Sequence, residues 1–74
     1  MQFDFSKLLG RIKEYGYTQE RLAEEIGIAK ATMNLKLNSK AYFTTQEIEK
    51  IRRILLIETE EIGVYFFTLK VQEN

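Results

Sequence analysis

Thr18-Gln19-Glu20-Arg21-Leu22-Ala23-Glu24-Glu25-Ile26-Gly27-Ile28-Ala29-Lys30-Ala31-Thr32-Met33-Asn34-Leu35-Lys36-Leu37-Asn38 decides how this chain folds. Thr18 supplies a hydroxyl N-cap, and Leu22, Ala23 and Ile26 follow on one helical face. Gly27 fits the left-handed position that ends the helix, where a Cβ would cost energy. A second helix is expected from about Lys30 to Leu37. Met33 and Leu37 lie on one side of it, and Lys30, Ala31, Asn34, Leu35 and Asn38 occupy a neighbouring arc. Ala23 is small where two such helices must cross closely. Two short helices bent around a glycine form a helix-turn-helix, here expected over about 18–38.

Outward from this stretch the helical period continues. Asp4 or Ser6 is placed to cap a first helix carrying Phe5, Leu8, Leu9, Ile12 and Tyr15, with Gly16 as its stop. Thr44-Thr45-Gln46-Glu47 has the spacing of a capping box, and the helix it opens would bury Ile48, Ile51, Ile54 and Leu55. Thr59-Glu60-Glu61 suits the positive end of a short fifth helix. Phe67-Thr68-Leu69-Lys70-Val71 then alternates apolar and polar, the period of a strand. The expected fold is all-α: one compact domain over 1–74 of four to five helices, with room for a short C-terminal strand.

Composition narrows the function. Seventy-four residues are near the lower limit at which an apolar core carries a fold unaided. The chain has no cysteine, histidine or proline, so thiolate metal sites, disulfides and the commonest general base are excluded. No cofactor or small-molecule ligand is suggested. No apolar run reaches membrane length and no cleavable signal is evident, which gives the expectation of a cytoplasmic protein without membrane contact. The formal net charge is zero, but from Ile28 to Ala41 the only charged residues are Lys30, Lys36 and Lys40. Local potential governs phosphate contact, so this acid-free stretch is a candidate nucleic-acid face.

The side chains on the outer arc match base edges. Lysine donates to guanine, asparagine bonds adenine bidentately, and Ala31 and Leu35 suit thymine methyls. Gln19, at the start of the preceding helix, is placed to hold a phosphate. Glu24-Glu25 and Glu60-Glu61 do not make acid–base pairs, because adjacent helical residues point about 100° apart.

The stretch resembles the helix-turn-helix domains of Cro and the phage repressors, through Gln19, Leu22-Ala23, Ile26-Gly27-Ile28, Met33 and Asn38. It covers about a third of the chain. The flanking helices, the length and the tail Glu61-Ile62-Gly63-Val64-Tyr65-Phe66-Phe67 are also similar to small phage-borne regulators. The resemblance implies base reading by Lys30, Ala31, Asn34 and Leu35, and phosphate contacts from Gln19, Lys36, Asn38 and Lys40. Two departures stand out. Lys36 occupies a place where the family usually has an apolar residue, with Leu37 following in its stead, and Ala29 is a poor N-cap.

The leading expectation is a sequence-specific transcriptional regulator, a repressor acting on a double-stranded DNA operator. Useful affinity from so small a domain calls for a homodimer on a near-palindrome. The tail, about 64–74, is the expected dimer interface through Tyr65, Phe66, Phe67, Leu69 and Val71, with strands 67–71 pairing across the two-fold. The alternative is an adaptor or antirepressor-like module on the same fold, which grips another protein with the aromatic tail or with Leu35 beside Ala31. No nucleophile–base set can be assembled, so no enzyme is expected.

Overall fold

A computed structural model describes residues 2–71. The order is α1 (Ser6–Glu14), α2 (Gln19–Ile26), α3 (Lys30–Leu37), α4 (Thr45–Ile54), a 3-10 turn (Thr59–Glu61) and α5 (Ile62–Phe66). The fold is all-α. Residues 72–74, the end of the tail expected to dimerise, lie outside the described residues.

Side-chain caps set the starts of α2 and α4. Thr18 Oγ1 accepts from the Arg21 amide at 3.0 Å. The capping box of α4 is complete: the Glu47 amide donates to Thr44 Oγ1 at 3.1 Å, and the Thr44 amide donates to Glu47 Oε1 at 2.9 Å. At α1 the N-cap position falls to Phe5, which has no side-chain cap, rather than to Asp4 or Ser6; Asp4 Oδ1 accepts from the Ser6 amide at 2.8 Å just ahead of the helix. The first four helices close with the same pair of amide bonds back to the last turn, as at Gly27 to Glu24 and Ile28 to Ala23. Gly16 (φ 78) and Gly27 (φ 82) take the left-handed position for α1 and α2, whereas Ser39 (φ 59) and Leu56 (φ 52) take it for α3 and α4.

The amphipathic faces meet in one core. Leu8 and Ile12 of α1, Leu22, Ala23 and Ile26 of α2, Met33 and Leu37 of α3, and Ile48 and Ile51 of α4 are buried together with Leu55 and Ile57. Full burial of each large aliphatic side chain contributes roughly 1.5–3 kcal/mol. Ile54, expected inside, is half-buried, and Leu55 and Ile57 fill the space beyond α4. Arg11 ties α1 to the end of α4. Its Nε and a terminal nitrogen donate to the carbonyls of Leu55 and Leu56, each at 2.9 Å, and its guanidinium stacks 4.4 Å from the Tyr15 ring.

The tail differs from expectation in two ways. Tyr65 and Phe66 are buried, at 5% and 2% exposure, so neither side chain is available to a dimer interface. The phase of α5 turns both rings inward, where Phe66 meets Phe43 edge-on at 5.6 Å. Among the described residues the segment beyond α5 forms no extended strand; it makes an isolated antiparallel bridge, Leu69 to Phe3, within the chain. The Asp4 amide donates to the Thr68 carbonyl at 2.7 Å, and the Lys70 amide to the Gln2 carbonyl at 3.0 Å. Phe3 is further held by Ser39, whose hydroxyl accepts from the Phe3 amide at 2.9 Å and donates to its carbonyl at 3.1 Å.

Candidate functional site

The turn between α2 and α3 fixes the candidate face. Ala23 is buried at the crossing, with 1% exposure, and its carbonyl receives the Ile28 amide across the Gly27 turn. With α2 and α3 held this way, Lys30, Ala31, Asn34, Leu35 and Asn38 all remain exposed along the outer side of α3. Gln19 and Lys40 are exposed at the two ends of the motif. Seven of the eight residues expected to meet a partner here are therefore on the surface.

Lys36 is the exception. It is 8% exposed, and its ammonium lies 2.5 Å from Glu47 Oε1 on α4. A cation so enclosed and paired cannot reach a phosphate, so its expected role is withdrawn. Burial pushes the Glu47 pKa up, but hydrogen bonds from Lys36 and from the Thr44 amide outweigh it and hold the carboxyl below its ordinary value. Leu37 is buried as well, so α3 turns both residues toward the interior.

The other lysine of α3 is also committed. Lys30 Nζ lies 3.1 Å from Glu20 Oε2 on the first turn of α2, with both side chains well exposed. Asn38 Nδ2 donates to the Asn34 carbonyl at 2.8 Å and to its side-chain oxygen at 3.2 Å, closing the end of α3 on itself. Among the described residues Lys40 is left without an ion-pair partner on this side. Leu35 stands 45% exposed beside Ala31, giving the face an apolar centre.

Two concavities adjoin Phe3 and Phe5. A polar cleft of about 250 Å3 opens between the end of α3 and the terminal bridge, lined by Leu37, Asn38, Ser39, Asp4, Ser6 and Lys70 among others. A smaller apolar slot of about 50 Å3 is lined mainly by Phe3, Phe5, Tyr42, Phe43, Phe66 and Phe67. Its rings pack edge-on, with Phe3 5.7 Å from Phe67 and Phe5 5.6 Å from Phe43. Among the described residues no group of three or more acidic, histidine or cysteine side chains is placed to hold a metal. No described helix is long and apolar enough to cross a membrane.

A family model described as a protein of unknown function, DUF739, matches residues 1–69. The chain belongs to the DUF739 family. This DUF739 chain is also similar to a solved structure, the solution structure of the modulator of repression (MOR) of the temperate bacteriophage TP901-1 from Lactococcus lactis. Identity is 39%, the match covers 97% of each chain, and the TM-score is 0.77. No curated protein matches the chain. The resemblance to Cro and the phage repressors is thus met at a coarser level, by likeness to a regulatory protein of a temperate phage.

Sequence reasoning missed Glu20 and Glu47 as partners of the two lysines. A lysine in an apolar position needs an acid to meet it, but nothing in its own helix says which acid that is. The role of Ser39 as the clamp on Phe3 had no signal in the local pattern.

Proposed function

We propose that this protein is a phage regulator that modulates repression by gripping a protein partner, the phage repressor, with the outer face of α3. The observation that carries the reading is the disposal of charge. Of the two lysines on α3, one is buried against Glu47 and the other is tied to Glu20, while Leu35 and Ala31 stand open. A nucleic-acid face draws its affinity from cations free to displace counterions, whereas a protein interface centres on apolar anchors with a polar rim. The likeness to a modulator of repression supports the same reading. The protein is read as one cytoplasmic, non-enzymatic domain that works without a cofactor.

The test is titration of the purified protein with the repressor of the phage or prophage that encodes it. Leu35→Ser should weaken capture at least tenfold while circular dichroism stays unchanged. Capture that ignores Leu35→Ser would overturn the use of this face.

A second reading, an operator-binding repressor, is favoured by the alignment of Lys30, Ala31, Asn34 and Leu35 with Gln19 and Lys40 at its ends. Selection from a randomised duplex library tests it, and an enriched inverted repeat would establish it. The homodimer that this reading calls for would draw on Phe67, Leu69 and Val71, the expected tail residues that remain exposed. Sedimentation that shows monomer at high concentration, with and without DNA, would remove it.

A further inference from the structure

We infer that Glu20 is the residue that turns the helix-turn-helix face away from nucleic acid. The inference rests on the protein-partner reading and names what enforces it. Glu20 lies in the first turn of α2, where backbone amides have no partner inside the helix and an anion is favoured. In a helix-turn-helix docked on DNA this end of the motif approaches the phosphate backbone, and the first turn of the following helix approaches the base edges. Glu20 occupies the first of these places with a fixed negative charge. It also reaches the second, holding Lys30 Nζ at 3.1 Å. One carboxylate therefore repels a phosphate and occupies the cation that would meet one.

The pair does little for the fold. Its side chains are 72% and 60% exposed, and exposed pairs of this kind contribute little to stability. Removing Glu20 should leave the helices intact. The other lysine of α3 does not compensate, since Lys36 is enclosed against Glu47, and Lys40 lies past the far end of that helix. Glu20→Lys changes the face by two charges and frees Lys30 at the same time. Glu20→Gln changes it by one charge and also frees Lys30.

Wild type, Glu20→Gln, Glu20→Lys and Glu20→Lys with Lys30→Gln are compared by fluorescence anisotropy on random-sequence duplex DNA at low salt. Circular dichroism verifies each fold, and capture of the repressor is measured in parallel. Wild type should show no binding, Glu20→Gln weak binding and Glu20→Lys clear binding. The log–log salt dependence should steepen by about 0.9 for each phosphate newly neutralised. Lys30→Gln should remove a large part of the gain. If folded Glu20→Lys and Glu20→Gln stay as unbound as wild type at the lowest salt, the inference is overturned while repressor capture by wild type still upholds the partner reading. If wild type binds DNA as tightly as Glu20→Lys, the inference fails. If wild type captures no repressor yet the Glu20 variants gain DNA binding, the partner reading fails and the role of Glu20 stands.

Discussion

Lys36 and Glu47 join α3 to the start of α4 through an ion pair of which neither side chain is more than 13% exposed. Glu47 simultaneously receives the Thr44 amide that opens α4. One carboxylate thus fixes both a helix start and the seating of α3.

The pair predicts strong coupling. Removing one member of an enclosed ion pair leaves the other unmatched, at a cost of about 3 kcal/mol. Lys36→Met alone should destabilise by roughly that amount. Combined with Glu47→Gln, which keeps the cap, it should recover to within about 1 kcal/mol of wild type. Urea unfolding of the four proteins checks this, and simple additivity would contradict it.

Acid should loosen the same junction. The folded Glu47 pKa lies below its ordinary 4.5, and Glu49, held by Arg52 and Arg53, is lowered to about 2. Depressed carboxyls stabilise the fold above the unfolded value near 4.5, and that contribution is lost as pH falls through the folded values. Unfolding midpoints should therefore decline below about pH 4.5. In Glu47→Gln the decline should be shallower, and an unchanged slope would count against the assignment.

Two residues in the left-handed region should respond oppositely to glycine. Leu56 is 67% exposed at φ 52, so Leu56→Gly should relieve strain and raise stability by about 0.5–1 kcal/mol. Ser39, at φ 59, spends its hydroxyl on both polar groups of Phe3. Ser39→Gly should be destabilising, by about 1 kcal/mol, despite the same backbone relief. Thermal melts of the two variants would show the opposite signs.

The helix crossing and the outer face should separate cleanly. Ala23→Leu should overpack the contact of α2 with α3 and cost about 1–3 kcal/mol. Asn34→Ala, on the exposed side, should leave stability nearly intact and change partner binding alone. Loss of helicity at Asn34→Ala, read by circular dichroism, would mean that the face is wrongly oriented.

What could be read without coordinates was what depends on near neighbours in the chain. Thr44 and Glu47 complete their box within one turn, and Gly27 marks its own left-handed turn, so the helix boundaries follow from spacing. The failures involve partners on other elements. Nothing within α3 says that Lys36 will find Glu47, and nothing within α2 says that Glu20 will reach Lys30. Among Tyr65, Phe66 and Phe67, which ring turns inward depends on the phase of a helix only five residues long. Ser39 gives no hint of its conformation, because left-handed helix ends are normally expected at glycine or asparagine.

The terminal bridge gives the chain ends a shared kinetic fate. The amides of Asp4 and Lys70 are bonded to carbonyls at the opposite end of the chain, and Ser39 latches the same short ribbon to the close of α3. Peeling away either end breaks both bonds, so these two amides should exchange with deuterium at one common rate set by a single opening event. A ligand seated at the close of α3 would slow that opening, and residues at the two ends of the chain would register its arrival without touching it.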